Sequence, residues 1–114
     1  MESRDLAQEI VSILEDMKGE NIVLMDVAKV AMFTSYFVLV NGTSDRMLQA
    51  MASTVVEKIR EDHGIKAKPL GDAGSGWVVV DYGSVVVHCF SPDTRVYYDL
   101  EELWKEGRVL VRIQ

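Results

Sequence analysis

The run Trp77-Val78-Val79-Val80-Asp81, then Tyr82-Gly83-Ser84, then Val85-Val86-Val87-His88-Cys89-Phe90 decides the fold. Two β-branched and aromatic runs flank a short turn, which is the signature of a β-hairpin. The turn is centred on Tyr82-Gly83 or on Gly83-Ser84. Both two-residue loops give the same side-chain parity, because opposed residues share a face. One face carries Val78, Val80, Val85, Val87 and Cys89 and is wholly apolar. The other carries Trp77, Val79, Asp81, Val86, His88 and Phe90 and is mixed.

Upstream, Gly71 to Gly76 contains three glycines and reads as a mobile loop. Residues 65–70 read as an edge strand, the place where Pro69 is tolerated. Asn21 to Val27, a short apolar run, reads as a strand, and Tyr36-Phe37-Val38-Leu39-Val40 reads as a buried central strand, with residues 28–35 a connection of open form. Leu6, Ile10, Ile13, Leu14 and Met17 recur at three and four, a helical stripe between a cap at Ser3 and a stop at Gly19. Ser44 caps a second helix with Leu48, Met51, Ala52, Val55, Val56 and Ile59 on its apolar face and His63-Gly64 at its end.

Downstream, Ser91-Pro92 is an N-cap followed by proline at the first helical position. Val96, Leu100, Leu103 and Trp104 keep helical spacing, so residues 92–106 read as a third helix stopped at Gly107. Arg108 to Ile113 reads as a short, weakly pairing terminal strand or tail. The sum is one α+β domain at 1–107, with a mixed central sheet and helices packed on it, followed by the tail at 108–114.

The chain has 114 residues, 12 basic and 18 acidic, hence a formal charge of −6. Half of that charge falls between Asp93 and Glu106, where five acids face Arg95 and Lys105. Such a balance disfavours binding driven by phosphate contacts and favours a basic protein partner. Cys89 is the lone cysteine, which leaves no internal disulfide and no multi-cysteine zinc site. The start Met1-Glu2-Ser3-Arg4-Asp5 lacks the pattern of a signal peptide, and the apolar runs are too short to span a bilayer. The expectation is a cytoplasmic protein without metal or cofactor.

The turn Asn41-Gly42-Thr43-Ser44, opening a helix after a strand, raises a nucleotide-binding or nucleotidyl-transferring enzyme as the alternative. That chemistry needs carboxylates grouped on neighbouring strands. Asp26 and Asp81 are isolated strand-end acids, so Gly42 reads as a chain turn and Ser44 as a cap. Cys89 reads as a buried thiol and His88 as a structural or surface histidine. Trp104 reads as core. Tyr97 and Tyr98 lie about 100° apart on a helix, so one of them is expected at the surface. Exposed Trp and Tyr beside a few charges is the composition of an interface.

The order Asp26-Val27, Tyr36-Phe37-Val38, Gly42-Thr43-Ser44-Asp45-Arg46, Gly76-Trp77-Val78-Val79-Val80-Asp81-Tyr82-Gly83, Val86-Val87-His88, then Arg95-x-Tyr97-Tyr98-x-Leu100-Glu101-x-Leu103-Trp104 resembles the ribosomal silencing factor, or Iojap, family. The resemblance implies a nucleotidyltransferase-like domain without the catalytic acids. It implies a homodimer when free, with docking on the large ribosomal subunit through ribosomal protein L-fourteen and little nucleic-acid contact. It further implies a steric block to small-subunit joining that lowers translation under nutrient limitation. Carried over by position, Trp77, Asp81, His88, Arg95, Tyr97, Tyr98, Glu101 and Trp104 are the candidate docking residues.

Overall fold

A computed structural model describes residues 2–114. Six strands form one mixed sheet in the order β3-β4-β5-β2-β1-β6. They are β1 (Glu20–Asp26), β2 (Tyr36–Asn41), β3 (Pro69–Asp72), β4 (Trp77–Asp81), β5 (Val85–Phe90) and β6 (Arg108–Ile113). Central β2 runs parallel to β5, while the other pairs are antiparallel. The hairpin β4–β5 pairs Asp81 with Val86 and Trp77 with Phe90. Its turn is centred on Gly83-Ser84, with Gly83 at φ +81°, where glycine is strain-free.

The wholly apolar hairpin face packs under α1 (Ser3–Asp16) and α2 (Asp45–His63), in one core with Leu14, Val38, Val40, Met51 and Val55. Ser44 caps α2 by accepting from the Met47 amide at 3.1 Å, and Gly64 ends it in the left-handed region. The ends of α1 differ from expectation. Ser3 is already helical and Glu2 stands at the cap without a side-chain bond. The left-handed residue is Lys18, at φ 65°. Gly19 serves closeness instead, since a Cβ there would lie 2.6 Å from Val40 Cγ2.

The mixed face is not an open surface. Val86, His88 and Phe90 are buried with Val23, Met25, Phe37 and Leu39 in a second cluster, against which Trp77, Val79, Leu100 and Trp104 pack. The cover comes from Val30 and Ala31 of the 28–35 connection and from a helical segment that the sequence presented as one helix. That segment is α3 (Pro92–Tyr98) and α4 (Leu100–Leu103), broken at Asp99 with φ 48°. The Asp99 amide closes α3 onto the Arg95 carbonyl, and its carboxylate caps α4 at the Glu102 amide. Residues six apart on a straight helix are turned by about 240°. The break instead brings Glu101 to Arg95. It also leaves Val96 and Leu103 exposed rather than in the core.

Two further segments correct the sequence reading. The strand placed at 65–70 lies at Pro69–Asp72, so Gly71 and Asp72 belong to edge strand β3, and Ala73–Ser75 form a 3₁₀ turn rather than a free loop. The segment 108–113 is a full strand, paired along β1 from Ile22↔Ile113 to Asp26↔Arg108. Its alternation reflects a half-covered edge, with Val111 and Ile113 packed under α1's core.

Candidate partner-docking site

Trp77 opens β4, directly opposite Phe90 of β5. Its ring lies 5.1 Å from Phe90 and 4.8 Å from Tyr98, centroid to centroid. Its indole N–H donates to His88 Nδ1 at 3.1 Å. An indole nitrogen only donates, so Nδ1 is the acceptor and neutral His88 carries its proton on Nε2. Nε2 is buried with no partner among the described residues, and the Phe37 ring stands edge-on to the imidazole at 5.0 Å. Burial pushes the His88 pKa down to about 4, against the opposing pull of the Asp81 carboxylate. Burial likewise pushes the Cys89 thiol up to about 12, which makes it a poor nucleophile.

A tight node holds α3 beside β4. The Ser91 amide donates to the Gly76 carbonyl at 2.8 Å, and Ser91 Oγ accepts from the Thr94 amide. Thr94 Oγ1 donates to the Ser75 carbonyl. Gly76 sits at φ +84°, and a Cβ on it would meet both hydroxyls. Behind the node, Arg95 is 8% exposed. Its Nη1 donates to the Asn21 carbonyl at 2.6 Å and to Asn41 Oδ1 at 3.0 Å, while Nε donates to Glu101 at 2.9 Å. Arg112 of β6 stands 4.0 Å from the other Glu101 oxygen. Arg95 thereby ties α3 to β1, β2 and α4.

The eight candidates divide by position. Tyr97 is 80% exposed and Tyr98 52%, so both tyrosines, not one, reach the surface. Asp81 is exposed, with one oxygen accepting from the Gly83 amide at 2.7 Å. Trp77 is half-buried and shows ring surface only, its N–H being turned inward. His88 and Arg95 are interior, and Glu101 is held by the two arginines. Trp104 packs edge-on against Phe37 and Phe33, at 5.9 Å from each. The structure joins Trp77, Tyr98 and Tyr97 in one aromatic cluster, leaves Asp81 at the opposite end of β4 beside the hairpin turn, and packs Trp104 over Phe37 on the same second cluster as Trp77.

Sequence reasoning missed Leu70 and Val79, a cross-strand pair that with Trp77 lines a shallow apolar groove of about 370 Å³. It also missed Asn21 and Asn41 as partners of Arg95, for which no local signal exists. The Asp99–Glu102 spacing, an Asp-x-x-Glu cap signature, was the available sign of the helix break.

The Gly42–Ser44 turn lies beyond the carboxyl end of β2. Asp26 and Asp81 sit near the other end, since Asp26 pairs with Tyr36 and Asp81 with Val86. A six-residue strand separates them by roughly 15–20 Å. The space where Gly42 would carry a side chain is filled by Leu48 and Met51.

The class defined here is an α+β domain with an aromatic cluster, flanked by Asp93, where α3 meets the Trp77 end of its mixed sheet. Comparison with known proteins gives its family. The family model described as ribosomal silencing factor during starvation matches residues 1–113, and the chain belongs to that family. It is 35% identical over 108 residues to a ribosomal silencing factor of Halalkalibacterium halodurans, covering 94% of this chain and 92% of the relative. It is 37% identical over 100 residues to the mouse protein named mitochondrial assembly of ribosomal large subunit protein 1, covering 83% of this chain and 43% of that one. A crystal structure of a Chromobacterium violaceum protein superposes with a TM-score of 0.86 at 35% identity, covering 92% of this chain and 88% of that one. Among the described residues no helix is long and apolar enough to cross a membrane, and no group of three His, Cys, Asp or Glu side chains is placed to hold a metal.

Proposed function

We propose that this chain is a cytoplasmic translational repressor. It docks on the large ribosomal subunit through the basic ribosomal protein L-fourteen and occupies space that the small subunit needs, which lowers translation when nutrients are limiting. The observation that carries this reading is the surface cluster of Trp77, Tyr97 and Tyr98, with Asp93 beside the tyrosines, on a member of the silencing factor family. Exposed aromatics supply the contact area of an interface, and neighbouring acids select a basic partner. Bound volume alone produces the block, so the reading calls on no catalytic residue and no cofactor. His88, Arg95, Glu101 and Trp104 serve it by holding the patch in shape. In the free protein two copies associate as a homodimer.

Co-sedimentation with purified large subunits tests the reading. Truncating a buried aromatic anchor typically costs ~2–4 kcal/mol. Trp77→Ala, with an unchanged circular dichroism spectrum, is expected to weaken binding more than about tenfold and to restore joining of the small subunit. Unchanged co-sedimentation removes Trp77 from the interface. Tight, magnesium-dependent ATP binding in a calorimetric titration would favour the enzyme alternative over a purely steric role.

A further inference from the structure

The docking reading explains why Trp77 is at the surface but not why an imidazole lies beneath it. Burying a histidine with one nitrogen unpartnered is costly, and an aliphatic side chain would fill an apolar layer more cheaply. His88 occupies that layer, 7% exposed, with its Nε2–H unpaired among the described residues. What it gains is one bond, accepted at Nδ1 from the Trp77 indole N–H. Phe37 and Phe90 flank the imidazole, and Phe90 also flanks the indole. Trp77, Val79 and Leu70 line the same apolar groove.

We infer that His88 is a positioning residue: it fixes the Trp77 indole in the pose that docks, and by taking up the indole N–H it leaves only ring carbons for the partner. The inference rests on the docking reading above and deepens it. Without an acceptor at position 88, the indole has a buried donor to satisfy. It then rotates outward to find water or a partner carbonyl, and the groove against Leu70 and Val79 loses one wall. The partner surface that fits this pose is aliphatic where it meets Trp77. It needs no carbonyl or carboxylate there, and its basic groups belong beside Asp81 and Asp93 instead. Pre-setting a side chain improves binding by removing an ordering cost at contact.

Two substitutions separate positioning from general stability. His88→Phe keeps a planar ring and deletes the acceptor. His88→Gln keeps an acceptor of similar reach. The Trp77 indole N–H is followed by proton–nitrogen correlation spectra and its exchange with solvent, and binding is followed by co-sedimentation with large subunits. In wild type the indole N–H gives one sharp, slowly exchanging resonance. In His88→Phe it is expected to exchange at least about tenfold faster and to broaden, with binding weakened roughly tenfold although the melting temperature is held or raised. His88→Gln is expected to recover both slow exchange and most of the binding. Wild-type exchange and binding in His88→Phe overturn the inference. So does a freed indole with undiminished binding, and so does failure of His88→Gln to recover either readout. The docking reading fails in a different way: Trp77→Ala then binds as wild type does, whatever the indole exchange shows.

Discussion

An alanine methyl group at position 76 would be driven into the hydroxyls of Ser91 and Thr94, on a backbone held at φ +84°. The left-handed conformation costs a non-glycine residue about 1 kcal/mol, and overpacking a tight contact typically adds 1–3 kcal/mol. Gly76→Ala is therefore expected to cost roughly 2–4 kcal/mol in urea unfolding; an unchanged midpoint would show that the node is soft. His88 makes a pH prediction at the same scale. Its pKa falls from 6.5 in the unfolded chain to about 4 in the fold, so the unfolded state binds the extra proton between those values. Stability is full above pH 6.5, declines as the pH falls, and stops declining from this cause below pH 4. At ~1.4 kcal/mol per tenfold change in proton affinity, the loss is at most about 3.5 kcal/mol. His88→Gln should flatten the stability curve between pH 7 and 4 by about that amount. Parallel curves for the two proteins would sink the assignment.

At the scale of elements, Arg95 is the tie between α3 and the sheet. Removing one partner of a buried charged network is more damaging than never having built it, because the remaining polar groups lose their partners. Arg95→Leu strands the Asn21 carbonyl and Asn41 Oδ1, and it leaves Glu101 with Arg112 alone. It is expected to lower stability by about 3 kcal/mol. Arg95→Lys should recover only part of this, since one ammonium cannot reproduce the fork. Equal thermal unfolding of Arg95→Leu and wild type would refute the tie. The same residue shows where the sequence stops being readable. The hairpin, the Ser44 cap and the Ser91-Pro92 start were legible because each is written within a few neighbouring residues. The partners of Arg95 lie 54 and 74 positions away. No local pattern reports them, so a basic residue on a helix reads as exposed. The burial of His88 was hidden for the same reason: strand parity gives its face, but the cover comes from residues 28–35 and from the Asp99 break. Strand β6 looked weak because its alternation is that of an edge, and only its register with β1 makes it part of the sheet.

At the scale of the whole molecule, the net charge of −6 acquires a geometry. Glu101 is neutralised by Arg95 and Arg112, and Glu102 pairs with Lys105. Asp93, Asp99 and Glu106 keep no ion pair among the described residues, and Asp81 stands at the hairpin end. Asp93 lies beside Tyr97 and Tyr98, so the field at the proposed docking surface is negative next to an apolar cluster, with Asp81 a strand's length away at the hairpin turn. Such a field accelerates encounter with a basic surface, whereas the buried aromatics set how long the complex lasts. The two contributions respond differently to salt. A protein held by six to ten phosphate contacts loses about 10³–10⁵ in affinity between roughly 50 and 200 mM salt. Here the association rate with large subunits is expected to fall only several-fold over that range, because exposed charges are screened beyond about 8–10 Å. The dissociation rate should stay nearly constant, because the contacts that break on leaving are apolar. Reversing Asp81 to lysine should slow association further and flatten its salt dependence, while leaving dissociation within about twofold of wild type. Stopped-flow association and chase experiments at several salt concentrations read both rates. A steep loss of affinity with salt, carried by the dissociation rate, would mean that the protein is held by ribosomal RNA, and the aromatic patch would then have to face something other than a basic protein.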